Sequence, residues 1–269
     1  MTHCQLGRSS LVVSRVALGT MSVASGVMHS SVDEQRALIT IHAALDAGIT
    51  TFDTAPGYGE GESEIRLGKA LSQSGLPRDR YVVATKAGGS TLSRAEILAD
   101  CDVSLSRLGM THIDLYQIHW PRRVVPLADS IGALLELKRA GKVREIGVCN
   151  FGPLDLAEAL AISPELVSDQ VAYSMLTRGV EYELEPVCHQ NGVGILCYSP
   201  LAQGLLTGGF PSADEMKPER CRSRHFAGTR PMSRHGEPGC ERELFTAIDT
   251  IRAVADSAGM SMSQLSVAW

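Results

Sequence analysis

Four residues that can carry or steer a proton, Asp53, Tyr58, Lys86 and His119, stand at or just beyond the ends of short apolar runs. Asp53 closes ITTFD, Lys86 closes YVVATK, His119 closes IDLYQIH, and Tyr58 lies in the turn APGYG that follows Asp53. Taken singly, each has a plainer role: a helix cap or loop charge, a solvated amine, a hydrogen-bonded core histidine and a surface phenol. Taken together, their types suit carbonyl reduction. A phenol with a reference pKa of about 10 is a poor acid at neutral pH unless its phenolate is stabilised. Lys86 is expected to supply that stabilisation and so to lower the Tyr58 pKa, with Asp53 as the carboxylate that keeps a partly buried lysine charged. His119 would hold or polarise the substrate carbonyl oxygen while Tyr58 delivers the proton. Neither a GxSxG nucleophile pattern nor a metal-ligand cluster competes with this chemistry, so no metal is expected.

Such a constellation requires several strand ends to meet at one rim. Seven strand-like runs are legible: RVALGT, ITTFD, YVVATK, IDLYQIH, EIGVCN, VSDQVAY and VGILCYS. Each is short and apolar on both faces, as expected for strands covered by helices on one side and a packed interior on the other. Between them Ser31 with Glu34, and Ser93 with Glu96, have the spacing of capping boxes that open helices. Ile131, Leu134, Leu135 and Leu137 mark a further helix ended by Gly141, and 154–162 and 180–189 read as shorter ones. Strand and helix in alternation mean parallel strands joined by right-handed crossovers. The first strand-to-helix turn, GTMSVASG, lacks the GxGxxG of a nucleotide-binding doubly wound sheet. Polar residues at the ends of many different strands (Asp53, Lys86, His119, Asn150, Gln170, Tyr198) instead suit a (β/α)8 TIM-type barrel. No linker or repeat divides the chain, so one domain over 1–269 is expected, with a long loop over 211–239.

Composition sets the class. The chain has 269 residues, of which 44% are hydrophobic and 20% charged, with a formal net charge of -5, values typical of a soluble globular protein. The mild acidity and the lack of a basic stripe argue against a nucleic-acid partner, and no apolar run has membrane-spanning length. The N-terminus MTHCQLGRSS lacks a secretory pattern, and the seven scattered cysteines show no CxxC pair. A cytoplasmic protein with reduced thiols is the expectation.

Several stretches, in this order, resemble the aldo-keto reductase family: LGRSSLVVSRVALGT, DAGITTFDTAPGYG, SEIRLGKAL, VVATKAG, SLSRLGMTHIDLYQIHW, GKVREIGVCNF and CYSPLAQGLLTG. The resemblance covers nearly the whole chain. It implies an NAD(P)-dependent oxidoreductase that interconverts aldehydes, ketones or sugars and alcohols, with a tetrad falling on Asp53, Tyr58, Lys86 and His119. The cofactor positions of the family fall on Gly19, Thr20, Met21, Asp53, Cys149, Asn150, Gln170, Tyr198, Ser199, Leu201, Gln203 and Gly204. The nicotinamide would stack on Tyr198, and Asn150 and Gln170 would bind its carboxamide. NADP is the expected cofactor by family habit, with NAD possible, and Trp120 offers an aromatic wall on the substrate side. Cys149 stands where many members have Ser, and Gly209 where many have Lys, which removes a positive charge near the cofactor's phosphates. The chain ends at SMSQLSVAW, which resembles the second half of the helix after strand seven, so the barrel is expected to hold seven βα units and to be truncated at its C-terminus. A fragment or shortened reading frame, a cloning boundary, and a natural variant closed by self-association all accommodate that end. Two alternative functions follow: a non-catalytic, cofactor-sensing interaction subunit, and a truncated enzyme with weak cofactor binding.

Overall fold

A computed structural model of the chain describes residues 1–25 and 32–269. It divides into two compact units, the first comprising Met1–Val171 with Glu181–Leu196, the second Ala172–Val180 with Cys197–Trp269. The first opens with a hairpin that the apolar pattern did not reveal, β1 (His3–Gln5) paired antiparallel with β2 (Val12–Ser14). Then β3 (Leu18–Gly19), α1 (Glu34–Asp46), β4 (Thr51–Asp53), α2 (Glu62–Gln73), β5 (Val82–Ala87), α3 (Arg94–Leu108) and β6 (Ile113–Ile118) alternate. The series continues with α4 (Leu127–Arg139), β7 (Val143–Cys149), α5 (Pro153–Ile162), β8 (Leu166–Ala172), α6 (Leu184–Gln190) and β9 (Gly194–Tyr198). β3 to β9 form one seven-stranded sheet in sequence order, the parallel sheet of a (β/α)8 TIM-type fold. β5 and β6 are buried along their whole lengths, which is why their sequences run apolar without the alternation of a half-exposed strand.

Register places the chemistry. Gly19 pairs with Asp53, Asp53 with Ala84, Lys86 with Gln117, and Cys149 with Gln170. Side chains alternate faces along a strand, so Lys86, two residues beyond Ala84, emerges on the same face as Asp53. Lower on that face a cluster of Leu6, Leu11 and Val13 from the hairpin segment packs on Val82, Ala84, Leu115 and Val167. A buried leucine of this kind contributes about 1.5–3 kcal/mol, so the hairpin is a firm plug at the start of the strands.

The helix ends depart from expectation in instructive ways. Ser31 lies outside the described residues; α1 is capped by Asp33, whose carboxylate accepts from the Gln35 and Arg36 amides. Ser93 does cap α3, accepting from the Glu96 amide, but Glu96 does not reach back to complete a box. Its carboxylate instead gathers the Ser90, Thr91 and Leu92 amides at 2.8, 2.9 and 2.7 Å and the Thr91 hydroxyl. Those bonds favour the ionised form and hold its pKa down at about 2. The expected helix over 180–189 is a single 3-10 turn at Gly179–Glu181 followed by α6.

In the second unit, 211–239 carries only the one-turn 3-10 helices Ala213–Glu215 and Pro218–Arg220. Phe226, Met216 and Cys221 from this segment bury themselves with Leu205 and Leu206 against α7 (Glu241–Ser257) and α8 (Met262–Ala268). The stretch SMSQLSVAW is not the second half of a helix. α8 starts afresh, with a capping box in which Ser261 and Gln264 exchange hydrogen bonds of 2.9 and 3.2 Å. All seven cysteines are free, and among the described residues no helix is long and apolar enough to cross a membrane.

The packing of α2 on α3 depends on Gly68, where a Cβ would lie 2.3 Å from the Leu108 carbonyl oxygen and 2.7 Å from its carbon. Backbone cannot give way as a side-chain tip can, so Gly68→Ala is expected to destabilise the fold by about 1–3 kcal/mol. Urea unfolding of the variant measures this, and an unchanged midpoint would contradict the close approach.

Candidate active site

Lys86 has no exposed surface, yet its ammonium is well satisfied. Nζ donates to Asp53 Oδ1 at 2.6 Å, to Oδ2 at 2.5 Å and to the Thr54 carbonyl at 2.9 Å. Burial alone would lower the Lys86 pKa; the charge of Asp53, the proximity of Tyr58 and the hydrogen bond to Asp53 together raise it. The lysine is therefore held charged. Asp53 is fixed in turn: Gln170 Nε2 donates to Oδ1 at 2.9 Å, and the Thr20 hydroxyl donates to the Asp53 carbonyl at 3.0 Å. Ser63 on α2 ties the base of the site together, its hydroxyl donating to the Thr20 carbonyl at 2.9 Å and meeting the Thr20 and Thr54 hydroxyls at 2.7 and 2.9 Å. Ser63 and Thr54 carry no sequence signal of their own, because a lone hydroxyl becomes meaningful only when neighbours from other elements are known.

Tyr58 sits in a short 3-10 turn, Tyr58–Gly61, which leads into α2. The Lys86 ammonium lies 5.3 Å from the centroid of its ring, and the His119 ring meets it edge-on at 6.1 Å and 82°. The phenol does not behave as the sequence led us to expect. Its pKa is raised: burial is the largest influence, and the lowering by Lys86 is countered by the carboxylate of Asp53. The ion pair that keeps Lys86 charged also cancels much of its field at Tyr58. His119 is pushed down to about 4, first by burial and then by the neighbouring Lys86 charge. Trp120 stacks on His119 at 6.3 Å and 23° and is 51% exposed, so it presents an aromatic face to solvent.

A second layer adjoins this cluster at the ends of β7 and β8. The Asn150 amide donates to the His119 carbonyl at 3.0 Å and approaches Cys149 Sγ at 3.2 Å, while the Cys149 thiol points to Gln170 Oε1 at 3.7 Å. Burial pushes the Cys149 thiol up to about 12, so it remains neutral. Asn150 adopts a left-handed backbone with φ of 62°, a conformation that non-glycine residues hold only where the surroundings over-determine it. Gly19 and Met21 are exposed, but Thr20 is fully buried, with its hydroxyl committed to the network beneath Asp53. Thus Asp53, Tyr58, Lys86, His119, Cys149, Asn150 and Gln170 are brought into one hydrogen-bonded and aromatic cluster in the first unit.

In the second unit, Tyr198, Ser199, Leu201, Gln203 and Gly204 lie in β9 and the turn after it. Ser199, Ala202, Gln203 and Gly204 have φ of 55°, 46°, 57° and 104°, all in the left-handed region. Gln203 Oε1 is buried there without a hydrogen-bond partner among the described residues. Within the first unit the side-chain amides of Asn150 and Gln170 supply the donor and acceptor types that suit the carboxamide of a nicotinamide. Among the described residues no group of three or more acidic, His or Cys side chains is placed to hold a metal.

The profile of the aldo/keto reductase family matches residues 15–269. The chain belongs to this family. It is 34% identical over 278 residues to the aldo-keto reductase YhdN of Bacillus subtilis, covering 100% of this chain and 81% of that protein. It is 39% identical over 230 residues to an NADH-specific methylglyoxal reductase of Escherichia coli, covering 77% of this chain and 70% of the relative. A glycerol dehydrogenase from Gluconobacter oxydans superposes with a TM-score of 0.83 at 31% identity, over 98% of this chain and 81% of the other. The protein is thus an oxidoreductase that interconverts small carbonyl compounds and alcohols with a nicotinamide cofactor.

An imidazole held down at about 4 is neutral through the whole neutral range. Because the folded value lies below the usual one of about 6.5, the unfolded chain binds this proton more readily, and the associated stability is lost as pH falls from about 6.5 to 4. Nitrogen NMR of the His119 ring is expected to show one protonated and one bare nitrogen down to about pH 5. A titration centred near the ordinary histidine value would contradict the burial-driven shift.

Proposed function

We propose that this reductase uses Tyr58 as the proton donor to a carbonyl oxygen, with His119 orienting that oxygen and Lys86 and Asp53 setting the field. The observation that carries the reading is the fully buried Lys86 ammonium, bound to both Asp53 oxygens and lying beside the Tyr58 ring. Burial keeps Tyr58 in its protonated form, so it is stocked with the proton that reduction requires. As negative charge develops on the carbonyl oxygen, the neutral His119 donates its N–H to that oxygen without adding a second positive charge beside Lys86. Proton transfer then leaves a phenolate facing the ammonium, whose attraction is felt most strongly once that charge exists. When bound, the nicotinamide supplies the hydride in reduction or accepts it in oxidation. Asn150 and Gln170 would hold its carboxamide, with Cys149 beside them as a neutral thiol. Tyr198, Ser199, Leu201, Gln203 and Gly204 are proposed as further cofactor contacts on the family resemblance, along with the exposed residues Gly19 and Met21.

Small aldehydes, ketones and sugars are the proposed substrates, with the exposed ring of Trp120 as an apolar wall. Relatives named for methylglyoxal and for glycerol support a compact, polar carbonyl or alcohol. NADPH is the preferred cofactor on the family resemblance, with NADH the alternative to be compared in the same assay. Seven free thiols support a reducing compartment, and we place the reaction in the cytoplasm.

The test is steady-state reduction of small aldehydes by Tyr58→Phe alongside the parent chain. Loss of the donor is expected to lower kcat by about 100-fold or more with cofactor binding retained, in line with the usual worth of a positioned general acid. Undiminished turnover by the variant would remove Tyr58 from the mechanism.

A further inference from the structure

Asp169 is a buried acid that the chemistry above does not use. It lies on β8 between Ser168 and Gln170, opposite Val148, and has no exposed surface. Gln170 reaches Asp53, and Ser168 Oγ fills the place where a Cβ on Gly147 would point, so both face the barrel interior. Strand alternation therefore sends Asp169 outward, into the layer between sheet and helices. Neither of its carboxyl oxygens has a hydrogen-bond partner of good geometry among the described residues.

The charged and titratable groups around it offer no compensation. Asp155 on α5 repels a carboxylate there, and Asp155 is itself taken up by Arg123. Cys188 on α6 and Cys149 on β7 feel the Asp169 charge, and both are neutral thiols pushed up to about 12 by burial. Only the Phe151 amide favours the ionised form, and burial outweighs it, raising Asp169 to about 7. Among the described residues, no lysine or arginine is one of the influences on it.

The position matters because of what adjoins it. Phe151 follows the left-handed Asn150, and the Asn150 backbone N–H donates to the Gln170 backbone carbonyl at 2.9 Å, joining the two strand ends next to Asp169. An ionised carboxylate in this dry layer must draw in water or rotate toward the Phe151 amide. Either response disturbs the corner that holds Asn150.

We propose that Asp169 is a positioning residue: uncharged, it lets the Cys149–Asn150–Phe151 corner close over it, and its ionisation loosens the Asn150 and Gln170 amides that would hold the nicotinamide. This deepens the reading in which those two amides bind the cofactor. The consequence is a dinucleotide affinity that weakens as pH rises past neutrality. It also has a cofactor-independent signature. A folded value raised from the usual carboxylate range to about 7 gives stability that is present below about pH 4 and lost as pH rises to about 7.

The experiment compares the parent chain with Asp169→Asn, a neutral near-isostere, and with Asp169→Ser should the amide variant fold poorly. Reduced dinucleotide is titrated by fluorescence from about pH 6 to 8.5, and thermal midpoints are measured without cofactor from about pH 4 to 8.5. Taking the ratio of parent to variant affinity at each pH cancels titration of the cofactor itself. The expected result is a ratio that falls several-fold across neutrality, with the parent losing thermal stability relative to the variant as pH rises. Parallel affinity profiles with binding intact would overturn the role of Asp169 and leave the cofactor assignment standing. No dinucleotide binding by either protein at any pH would refute the assignment of Asn150 and Gln170, and with it the positioning role, whatever the thermal profiles show.

Discussion

One buried ion pair organises the first unit. An ammonium with no solvent contact costs several kcal/mol to bury unless its charge is matched and its protons are bonded. Lys86 meets both conditions through Asp53 and the Thr54 carbonyl. The demand then spreads, because Asp53 must be held in place to serve. Gln170 from β8 and Thr20 after β3 secure it, and Ser63 on α2 secures Thr20. A single charge thus pins the ends of strands that are distant in sequence, and those ends are where the acid, the imidazole and the amides emerge.

The same pair explains why the phenol is not an anomalously strong acid. Asp53 stabilises the ammonium and, by being there, offsets its pull on Tyr58, while burial favours the neutral phenol. The Lys86–Asp53 dipole is fixed by the fold, so in the proposed mechanism its value lies in preorganisation: the environment is already arranged for charge that appears later. The neutral His119 fits this design, since a protonated imidazole would add a second cation in the same dry space.

The barrel alternation and the meeting of Asp53, Tyr58, Lys86 and His119 were legible in the sequence because both leave one-dimensional marks: apolar runs of strand length and polar types at or just beyond their ends. Other features leave none. Ser63 and Thr54 are ordinary hydroxyls until they meet across three elements, and the hairpin β1–β2 is too short for its period to stand out. The pairing of Ser93 with Glu96 has the right spacing for a box, yet Glu96 finds better donors in the amides of Ser90 to Leu92. Local spacing proposes a bond, and loop geometry decides which of several available bonds is made. The direction of the Tyr58 shift was missed for a related reason: opposing fields from Lys86 and Asp53 can be weighed only when their positions are known.

The hairpin has a bearing on traffic. Leu6, Leu11 and Val13 stopper the starts of the strands with hydrocarbon, on the same inward face that carries Lys86 and Asp53 further along. Protons move through water and polar groups, so this end is insulated. In the proposed mechanism, each proton that Tyr58 gives up is returned from a side other than this one.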